Sequence, residues 1–309
     1  MSPLHTDYRP KRLDDITGNR DTIQALKVHL GKDSPNRSIL FVGPSGCGKT
    51  TLAVCVANEL DSLDEWNFQM LNASDFRGID TVRDLREQAS RKPIGGARCR
   101  VWLLDECHKL TQDAQEAVLK LLEDPPRGCW FLLATTNPEK LKVTLKRRCT
   151  EFPVSPVEDG DLIRLLQRVA KREKKQVPQE VLRQICLDSL GSPGMALNVL
   201  DKVIDLPADN MLKSAKRWAE RDSNVINLCR HLLSCLRKKG GWKETLAILK
   251  EFQQEDPETI RRQVLEYFNK VGLDGNESAY LIMSCFRQNY YDCGRSGLYM
   301  SCYEAFMVE

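Results

Sequence analysis

One stretch, Gly43-Pro-Ser-Gly-Cys-Gly-Lys-Thr50, constrains this chain more than any other, because it fits the pattern G-x-x-x-x-G-K-[ST]. An apolar, strand-like run at 38–42 precedes it, and a helix-like run at 51–60 follows. In that context the glycines let backbone N–H groups face a phosphate, and the helix directs its positive end at the same anion. A loop that merely turns is the alternative, and the flanking strand and helix argue against it. The stretch therefore predicts a P-loop.

A P-loop assigns tasks to individual side chains. Lys49 would reach the β- and γ-phosphates, and the Thr50 hydroxyl would hold Mg²⁺. The rest of the predicted cradle consists of Gly43, Pro44, Ser45, Gly46, Cys47, Gly48 and Thr51.

Length and composition describe an ordinary protein of two or three domains, with 309 residues of which 41% are hydrophobic. The formal net charge of +3 is too small to indicate nucleic-acid binding, so any basic surface must be local. We see no basic-then-apolar signal at the N-terminus and no run near the ~18 apolar residues of a membrane span. We expect a protein with no membrane partner that is not secreted, cytoplasmic in a bacterium or phage-infected host and nuclear in a eukaryote.

Twelve cysteines suggest a disulfide or metal framework until their positions are considered. They form no C-x-x-C, and the four histidines add no ligand spacing, so the sequence does not favour a zinc site. Most of the cysteines lie in apolar periodic runs. We therefore expect buried, unpaired thiols in a reducing compartment.

Two carboxylates follow a predicted strand at 100–104, which runs directly into Asp105-Glu106. Ligands of open α/β sheets bind at the carboxyl ends of strands. Asp105 would orient Mg²⁺ through its water shell, and Glu106 would polarise an attacking water. An acidic pair after a strand is common, but downstream of a P-loop it is typical of a Walker B element.

Polar residues also follow the next predicted strand, 130–134. Thr135, Thr136 and Asn137 would lie beside the γ-phosphate position. Formation of a turn before Pro138 explains Asn137 equally well.

An extended arm is predicted at 7–19, because Pro10 biases the residue before it away from helix and Gly18 ends the run. Tyr8, Pro10 and Ile16 would form a flat apolar wall for a base. Simple packing of the arm onto the domain accounts for them equally well.

Two groups of basic residues allow alternative interpretations. Arg83 and Arg86 lie on a predicted helix and are either a solvated face or phosphate contacts. The cluster Lys146-Arg147-Arg148 is either solvent-exposed or supplies a guanidinium to the site of a neighbouring subunit in a ring.

The alternation of strands and helices stops near residue 156. Helical periods at 161–174, 178–189 and 195–204 predict a small lid, and Pro207 with Asp209-Asn210 predicts a boundary. Further helical periods occupy 223–238, 242–253, 257–271 and 278–290, and their apolar faces suit either self-association or an internal core. We expect an α/β P-loop domain at 1–154, a helical lid at 155–206 and an all-helical C-terminal domain at 207–309.

Together these motifs resemble the AAA+ ATPases of sliding-clamp loaders, from the arm to the boundary near 206. Asp7-Tyr-Arg-Pro10 and Ile16-Thr-Gly-Asn19 look like the family's adenine-side arm. Asn72-Ala-Ser-Asp-Phe-Arg-Gly-Ile-Asp-Thr-Val-Arg83 is similar to the corresponding stretch of replication factor C small subunits. Leu122-Glu-Asp-Pro-Pro126 and Phe131-Leu-Leu-Ala-Thr-Thr-Asn-Pro138 look more like the bacterial polymerase III loader subunit. The bacterial zinc module after the P-loop helix is missing, which favours the replication factor C or phage-type branch.

The resemblance implies ATP and Mg²⁺ as cofactors, a parallel AAA+ sheet with helices on both faces, and a C-terminal collar that holds subunits together. It places the adenine at an arm made of Tyr8, Arg9, Pro10, Ile16 and Thr17. It also gives Thr136, with Asn137, the sensor 1 place.

The same resemblance assigns two residues to regulation and to the subunit junction. Asn72 would restrain Glu106 until DNA arrives. Arg148 fits the arginine of the family's Ser-Arg-Cys motif and is the implied trans-acting arginine finger, although Arg147 replaces the serine.

One larger departure concerns the lid. The family's sensor 2 reads Gly-x-x-Arg before Ala-Leu, whereas Gly194 stands here in the place of the arginine. That gap resembles the bacterial stator subunit, which does not hydrolyse ATP. The intact P-loop, acid pair and arginine finger favour an active ring member.

The implied function is that of a DNA-stimulated ATPase that opens a ring-shaped clamp and places it on primer–template DNA during replication. Its partners would be the clamp, the DNA and other loader subunits in a ring-like, pentameric assembly. Arg77, Arg83 and Arg86 would be sequence-independent phosphate contacts. The alternatives are a non-hydrolysing, stator-like loader subunit and another AAA+ DNA-remodelling ATPase, such as a branch-migration motor.

Overall fold

The computed structural model of the protein describes residues 3–62, 66–73, 85–238, 241–252, 255–273 and 275–307. Its N-terminal half contains a five-stranded sheet in the order β2-β3-β4-β1-β5. The strands are β1 Ser38–Val42, β2 Phe68–Asn72, β3 Arg100–Asp105, β4 Cys129–Thr135 and β5 Thr150–Pro153. All four pairings between neighbouring strands are parallel. The predicted parallel α/β sheet is confirmed.

Helices cover both faces of this sheet. They are α2 Arg20–Leu30, α3 Lys49–Glu59, α4 Gln112–Glu123 and α5 Val143–Arg148, with a further helical stretch at 85–89. The first short helix, α1 Leu4–Asp7, instead packs against the later helix Pro193–Val203. Trp102 and Phe131 are buried in a core on one face, and Ile39 and Phe41 in a core on the other. Burial on both faces explains why β1, β3 and β4 read as continuous apolar runs.

The N-terminal arm is less extended than predicted. It contains the helix α1 and a single 3₁₀ turn at Leu13–Asp15. Leu13 is fully buried in the core that also contains Phe41, so its burial accounts for the turn. The prediction of an extended stretch over 7–19 was therefore wrong at this point.

Only helices follow the sheet in the described residues. They are α6 Asp159–Arg172, α7 Gln179–Asp188, α8 Pro193–Val203, α9 Ala208–Asp222, α10 Asn224–Lys238, α11 Trp242–Glu251, α12 Pro257–Leu273, α13 Glu277–Cys285 and α14 Gly294–Met307. Helices α9 and α14 were not predicted from the sequence, and α13 is shorter than the predicted period at 278–290. Helix α9 begins directly after Pro207, with Asp209 in its first turn, so the turn residues that indicated a boundary start a helix instead.

The lid helices and the C-terminal helices share one continuous apolar core. Helix α9 packs against α7 and α8 as well as against α10. The division of the chain near residue 206 stays a prediction. The internal core accounts for most apolar residues of this region, whereas Tyr299, Met300 and Tyr303 on α14 are exposed.

Ion pairs join the three parts of the chain. Arg230 of α10 donates to Asp188 of α7 at 2.6 Å, and Asp188 is only 1% exposed. Lys270 of α12 contacts Asp159 of α6 at 2.7 Å. Lys140, in the 3₁₀ turn after β4, lies 3.6 Å from Asp256, just before α12.

All twelve cysteines are free, and most are buried, as the sequence predicted. Across the described ranges, no helix combines the length and apolar character that crossing a bilayer requires.

Candidate functional site

A cavity of about 360 Å³ opens at the carboxyl edge of the sheet. Four parts of the chain contribute to its wall: the N-terminal arm, the loop after β1, the acid pair after β3 and the lid. The lining residues are His5, Tyr8, Arg9, Pro10, Asp15, Ile16, Thr17, Ser45, Gly46, Cys47, Gly48, Lys49, Thr50, Thr51, Leu52, Asp105, Glu106, Leu165, Arg168, Pro193, Gly194 and Leu197. The structure thus brings most of the residues predicted to bind a nucleotide to one cavity.

The loop between β1 and α3 has a conformation that depends on glycine. Gly46 and Gly48 have positive φ angles of 76° and 95°. A Cβ on Gly43 would lie 1.9 Å from the carbonyl oxygen of Val154, which runs past the loop after β5. Gly46 and Gly48 are needed for their left-handed backbone, and Gly43 is needed because the chain at Val154 passes too close for a side chain. These are the usual physical reasons for glycines in a phosphate-binding loop.

Lys49 is folded back against this loop. Its ammonium donates to the carbonyl oxygens of Gly43 at 2.9 Å and Pro44 at 2.8 Å, and the residue is only 6% exposed. Burial lowers the pKa of Lys49, and the neighbouring Glu106 opposes that shift. Gly43 and Pro44 do not line the cavity themselves. They hold the lysine beside the space in which an anion would lie.

Thr50 and Asp105 meet at the floor of the cavity. The Thr50 hydroxyl donates to Asp105 Oδ2 at 2.8 Å, and Asp105 Oδ1 accepts from the Glu106 N–H at 2.9 Å. A hydroxyl and a carboxylate are hard oxygen donors, which suit Mg²⁺ bound with several waters. The two residues fit the metal that the sequence predicts.

Glu106 combines an unusual backbone with contacts to the end of β4. Its φ of 52° lies in the left-handed region, which non-glycine residues adopt mainly where structure requires it. Its Oε2 atom lies 3.5 Å from Thr136 Oγ1 and 3.4 Å from His108 Nδ1. The carboxylate therefore faces both the cavity and the loop after β4.

Thr136 and Asn137 do not line the cavity. Thr136 donates to Asn137 Oδ1 at 2.9 Å, and the Asn137 amide donates to Glu139 at 3.0 Å. The Asn137 N–H donates to Thr135 Oγ1 at 3.1 Å. These contacts fit the alternative role of Asn137 in forming the turn, while Thr136 reaches Glu106 directly.

The strand register places Asn72 beside the acid pair. Asn72 ends β2 and pairs with Asp105 in the neighbouring strand. Arg86 is exposed in the helical stretch at 85–89, whereas Arg77 and Arg83 lie outside the described residues. The predicted phosphate contacts therefore stay predictions.

Arg148 lies away from the cavity, at the end of α5. Its side chain is 53% exposed and donates to Glu123 of α4 at 2.9 Å. Arg147 beside it is also exposed. An exposed guanidinium suits contact with a second subunit, and its role as an arginine finger stays a prediction.

The lid contributes residues that sequence reasoning did not select. Leu165 and Arg168 lie one turn apart on α6, and Arg168 donates to Thr17 Oγ1 at 3.2 Å. The Tyr8 hydroxyl donates to Glu173, just after α6, at 2.5 Å. The spacing of Arg168 from the apolar Leu165 was the only sign of this role in the sequence. Arginines on helix surfaces are too common for that spacing to identify a binding residue.

Several known proteins are similar in sequence to this chain. Residues 61–158 match the family described as DNA polymerase III, delta subunit. Replication factor C small subunits from Methanococcus vannielii and Methanosarcina barkeri are 38% and 36% identical over 203 and 197 residues, covering 65% and 62% of this chain. The chain spans 64% and 58% of the length of these relatives. The resemblance to clamp-loader subunits is confirmed for the matched part.

Solved structures with a similar fold come from Thermotoga maritima. A single-site mutant of RuvB covers 80% of this chain and 88% of its own with a TM-score of 0.62 at 20% identity. The RuvB Holliday junction branch migration motor covers 67% and 72% with a TM-score of 0.57 at 22% identity. At such identities the similarity concerns architecture alone, and the predicted AAA+ fold is confirmed.

Proposed function

We propose that this chain is an ATPase subunit of a sliding-clamp loader, which uses ATP to open a ring clamp and place it on primer–template DNA. The observation that carries the proposal is the single cavity joining the arm, the P-loop, the acid pair and the lid. Its residues suit a nucleoside triphosphate, and the matched part of the chain is similar to replication factor C small subunits.

The side chains divide the chemistry among them. Lys49 is placed to exchange its two carbonyl partners for phosphate oxygens, which are the better acceptors for an ammonium. Thr50 and Asp105 would hold Mg²⁺, which would supply positive charge to neutralise the phosphates. Glu106 would orient the attacking water and accept its proton. Tyr8, Pro10 and Ile16 would enclose the base.

On this proposal, the site of each subunit is completed by a residue of the neighbouring subunit. An active ring member needs a cation opposite the γ-phosphate, and Arg148 would supply it to the neighbouring subunit. The assembly would be a ring-like, pentameric one, in which DNA reaches Arg77, Arg83 and Arg86 through phosphate contacts and stimulates hydrolysis.

A specific observation favours a second candidate, the non-hydrolysing stator-like subunit. Gly194 lines the cavity, and nothing lies within 4 Å of the position where its Cβ would be. The lid therefore presents open space where the family has an arginine. Nucleotide that stays unhydrolysed for hours in the assembled complex would favour this candidate.

Another AAA+ DNA-remodelling ATPase is a further candidate, because the RuvB structures have a similar fold. Binding to a ring clamp separates it from a clamp loader. Remodelling of branched DNA without any clamp binding would favour this alternative.

The experiment that tests the proposal is a hydrolysis assay with the sliding clamp and loader subunits of the same organism. We expect ATP turnover that requires the assembly and rises with primed DNA, and we expect Lys49→Ala to abolish it. Lys109→Ala is a suitable control, because Lys109 is exposed and lies outside the cavity. Turnover that survives Lys49→Ala would overturn the assignment of the site.

A further inference from the structure

The N-terminal arm begins on the lid and only then crosses to the sheet. Helix α1 packs against α8, and Leu4 is buried in the core that the lid shares with the C-terminal helices. The backbone N–H of Leu4 also donates to Asp201 of α8 at 3.4 Å. By its packing, the start of the arm is therefore a part of the lid.

The next residues of the arm pack on the sheet domain instead. The Cys55 thiol of α3 donates to the Pro10 carbonyl oxygen at 3.4 Å, and Leu13 is fully buried in the core that contains Phe41. The arm therefore passes from the lid to the sheet domain between Tyr8 and Pro10. Both of these residues line the nucleotide cavity, so the crossing is part of the cavity wall.

Two lid residues at the end of α6 hold the side chain of Tyr8. The Tyr8 hydroxyl donates to Glu173 Oε1 at 2.5 Å, and the Arg172 guanidinium carbon lies 6.0 Å from the centre of the tyrosine ring. Arg172 and Glu173 do not line the cavity, whereas Tyr8 does. The lid therefore contacts Tyr8 from outside the cavity, while part of the ring faces the interior.

We propose that Glu173 is a positioning residue that fixes the Tyr8 ring against the base of ATP, so that recognition of the base depends on the lid. The inference rests on the proposed function, because it concerns the wall of that same cavity. It goes beyond the role that the resemblance gives Tyr8, which concerns the arm alone. A hydrogen bond to a carboxylate is stronger and more directional than a neutral one, so it holds the ring more firmly than packing does.

The phosphate end of the cavity is built from other elements. Lys49 and Thr50 lie in the first turn of α3, which follows β1. Stacking on a held aromatic ring acts on the base, whereas an ammonium and a hydroxyl act on phosphate and metal. A change at Glu173 should therefore alter the affinity for the base and leave the affinity for the phosphate chain. Tripolyphosphate, which has three phosphates but no sugar or base, separates the two contributions.

The binding test titrates the full-length protein with ATP and with tripolyphosphate, each in the presence of Mg²⁺. We expect Glu173→Ala to weaken ATP binding ~3- to 10-fold and tripolyphosphate binding less than ~2-fold. Glu173→Gln keeps an oxygen that accepts from Tyr8 and should bind both ligands like the wild type. Glu180→Ala is the control, because Glu180 is exposed on α7 and lies outside the cavity. Equal weakening of both ligands in Glu173→Ala, or unchanged ATP binding, would overturn the proposal.

A double-mutant cycle tests whether Glu173 acts through Tyr8. Tyr8→Phe keeps the ring and removes the hydroxyl, so we expect it to weaken ATP binding as much as Glu173→Ala does. The double variant should lose no more affinity than either single variant, because both remove the same hydrogen bond. Additive losses would mean that Glu173 acts on something other than Tyr8, and they would overturn the proposal.

Failure of the proposed function gives a different result. An assembly that binds ATP with this dependence on Glu173, but shows no turnover with the clamp and primed DNA, would overturn the clamp-loader assignment and leave the role of Glu173 intact. A wild-type protein that binds neither ATP nor tripolyphosphate would overturn both.

Discussion

Thr50 and Asp105 are hydrogen bonded through their side chains, with 2.8 Å between Thr50 Oγ1 and Asp105 Oδ2. The bond joins the first turn of α3 to the end of β3, two elements that lie far apart along the chain. It brings two hard oxygen donors to one point of the cavity wall.

Replacing Thr50 by a residue without a hydroxyl should therefore make ATP binding independent of magnesium. Thr50→Val keeps the shape but loses the hydroxyl, and we expect hydrolysis to fall about 100-fold, which corresponds to ~2.7 kcal/mol. Thr50→Ser keeps the oxygen and should retain most activity. The measurement is ATP affinity, titrated in the presence of Mg²⁺ and in the presence of a chelator. Thr50→Val should bind ATP equally well under the two conditions. If Mg²⁺ changed its affinity as much as that of the wild type, Thr50 would not be a Mg²⁺ ligand.

Substitutions of the two arginines at the end of α5 should have different effects on ATP hydrolysis in an assembled complex. Arg148→Ala is expected to abolish hydrolysis while ATP binding stays within ~2-fold of wild type, because the guanidinium would act on a neighbour's nucleotide. Arg147→Ala should change little. Equal loss of binding and hydrolysis in Arg148→Ala would indicate a structural role instead.

Glu123 holds Arg148 within its own chain, and both side chains are partly exposed. Such surface pairs contribute at most about 1 kcal/mol. Glu123→Gln should therefore leave hydrolysis within about 5-fold of wild type. A larger loss would mean that Glu123 does more than hold the guanidinium.

Gly43 and Gly194 provide a matched pair for stability. The Cβ of Gly43→Ala would meet the Val154 carbonyl at 1.9 Å, so the P-loop or the segment after β5 must move. We expect this variant to lose about 1–3 kcal/mol of the free energy of unfolding. Gly194→Ala meets nothing within 4 Å and lies in α8, where alanine is the better helix former, so it should lose none. Urea unfolding measures both changes, as shifts in the midpoint at an unchanged dependence on urea concentration. Equal midpoints for the two variants would contradict the close approach of Gly43 to the Val154 carbonyl.

The contribution of Arg168 to ATP binding can be tested against a second arginine of the same helix, α6. Arg168→Ala should weaken ATP binding ~3- to 10-fold, because Arg168 lines the cavity and an arginine is a strong partner for anionic ligands. Arg164, one turn earlier, pairs with Asp161 and lies outside the cavity, so Arg164→Ala serves as the control. Adding Gly194→Arg to Arg168→Ala should restore affinity. Equal effects of Arg164→Ala and Arg168→Ala would contradict this prediction.

Asp188 should make stability depend on pH. Burial raises its pKa to about 6 although Arg230 opposes the shift, whereas an unfolded aspartate titrates near its usual value. Burial lowers the pKa of Arg230, but Asp188, Glu220 and Tyr267 together raise it by more, so the arginine stays charged.

Because the folded state binds a proton more tightly than the unfolded state, the contribution of Asp188 to stability increases as pH falls through about 6 toward 4. Asp188→Asn cannot take up that proton. Urea unfolding at pH 7.5 and 5.5 should therefore show a gain for the wild type that the variant lacks, and equal changes in both proteins would contradict it.

Local spacing made the centre of the site predictable. The P-loop needs glycines and a lysine at fixed intervals, and Asp105-Glu106 follows a strand whose apolar character is evident, so both could be placed from the sequence alone. The same holds for the apolar strands predicted at 38–42, 100–104 and 130–134. Each of these signals lies within a few residues along the chain.

Contacts between distant residues could not be predicted in this way. Tyr8 and Glu173 are 165 positions apart, and His108 and Thr135 are 27 apart. The 3₁₀ turn at Leu13–Asp15 depends on a buried leucine that pattern alone does not reveal. Helix α14 was missed because its apolar residues are not confined to one face, so it lacks the period that identified α10, α11 and α12.

The Asp188–Arg230 and Lys270–Asp159 pairs couple the lid to the helices beyond it. Any displacement of the lid relative to the sheet would therefore carry the C-terminal helices with it. Ser155, in the segment that joins β5 to the lid, is held by Asn19 through two hydrogen bonds of 2.8 and 2.9 Å. Lys140 and Asp256 join the C-terminal helices to the sheet domain through partly exposed side chains, so such a displacement would have to break this ion pair.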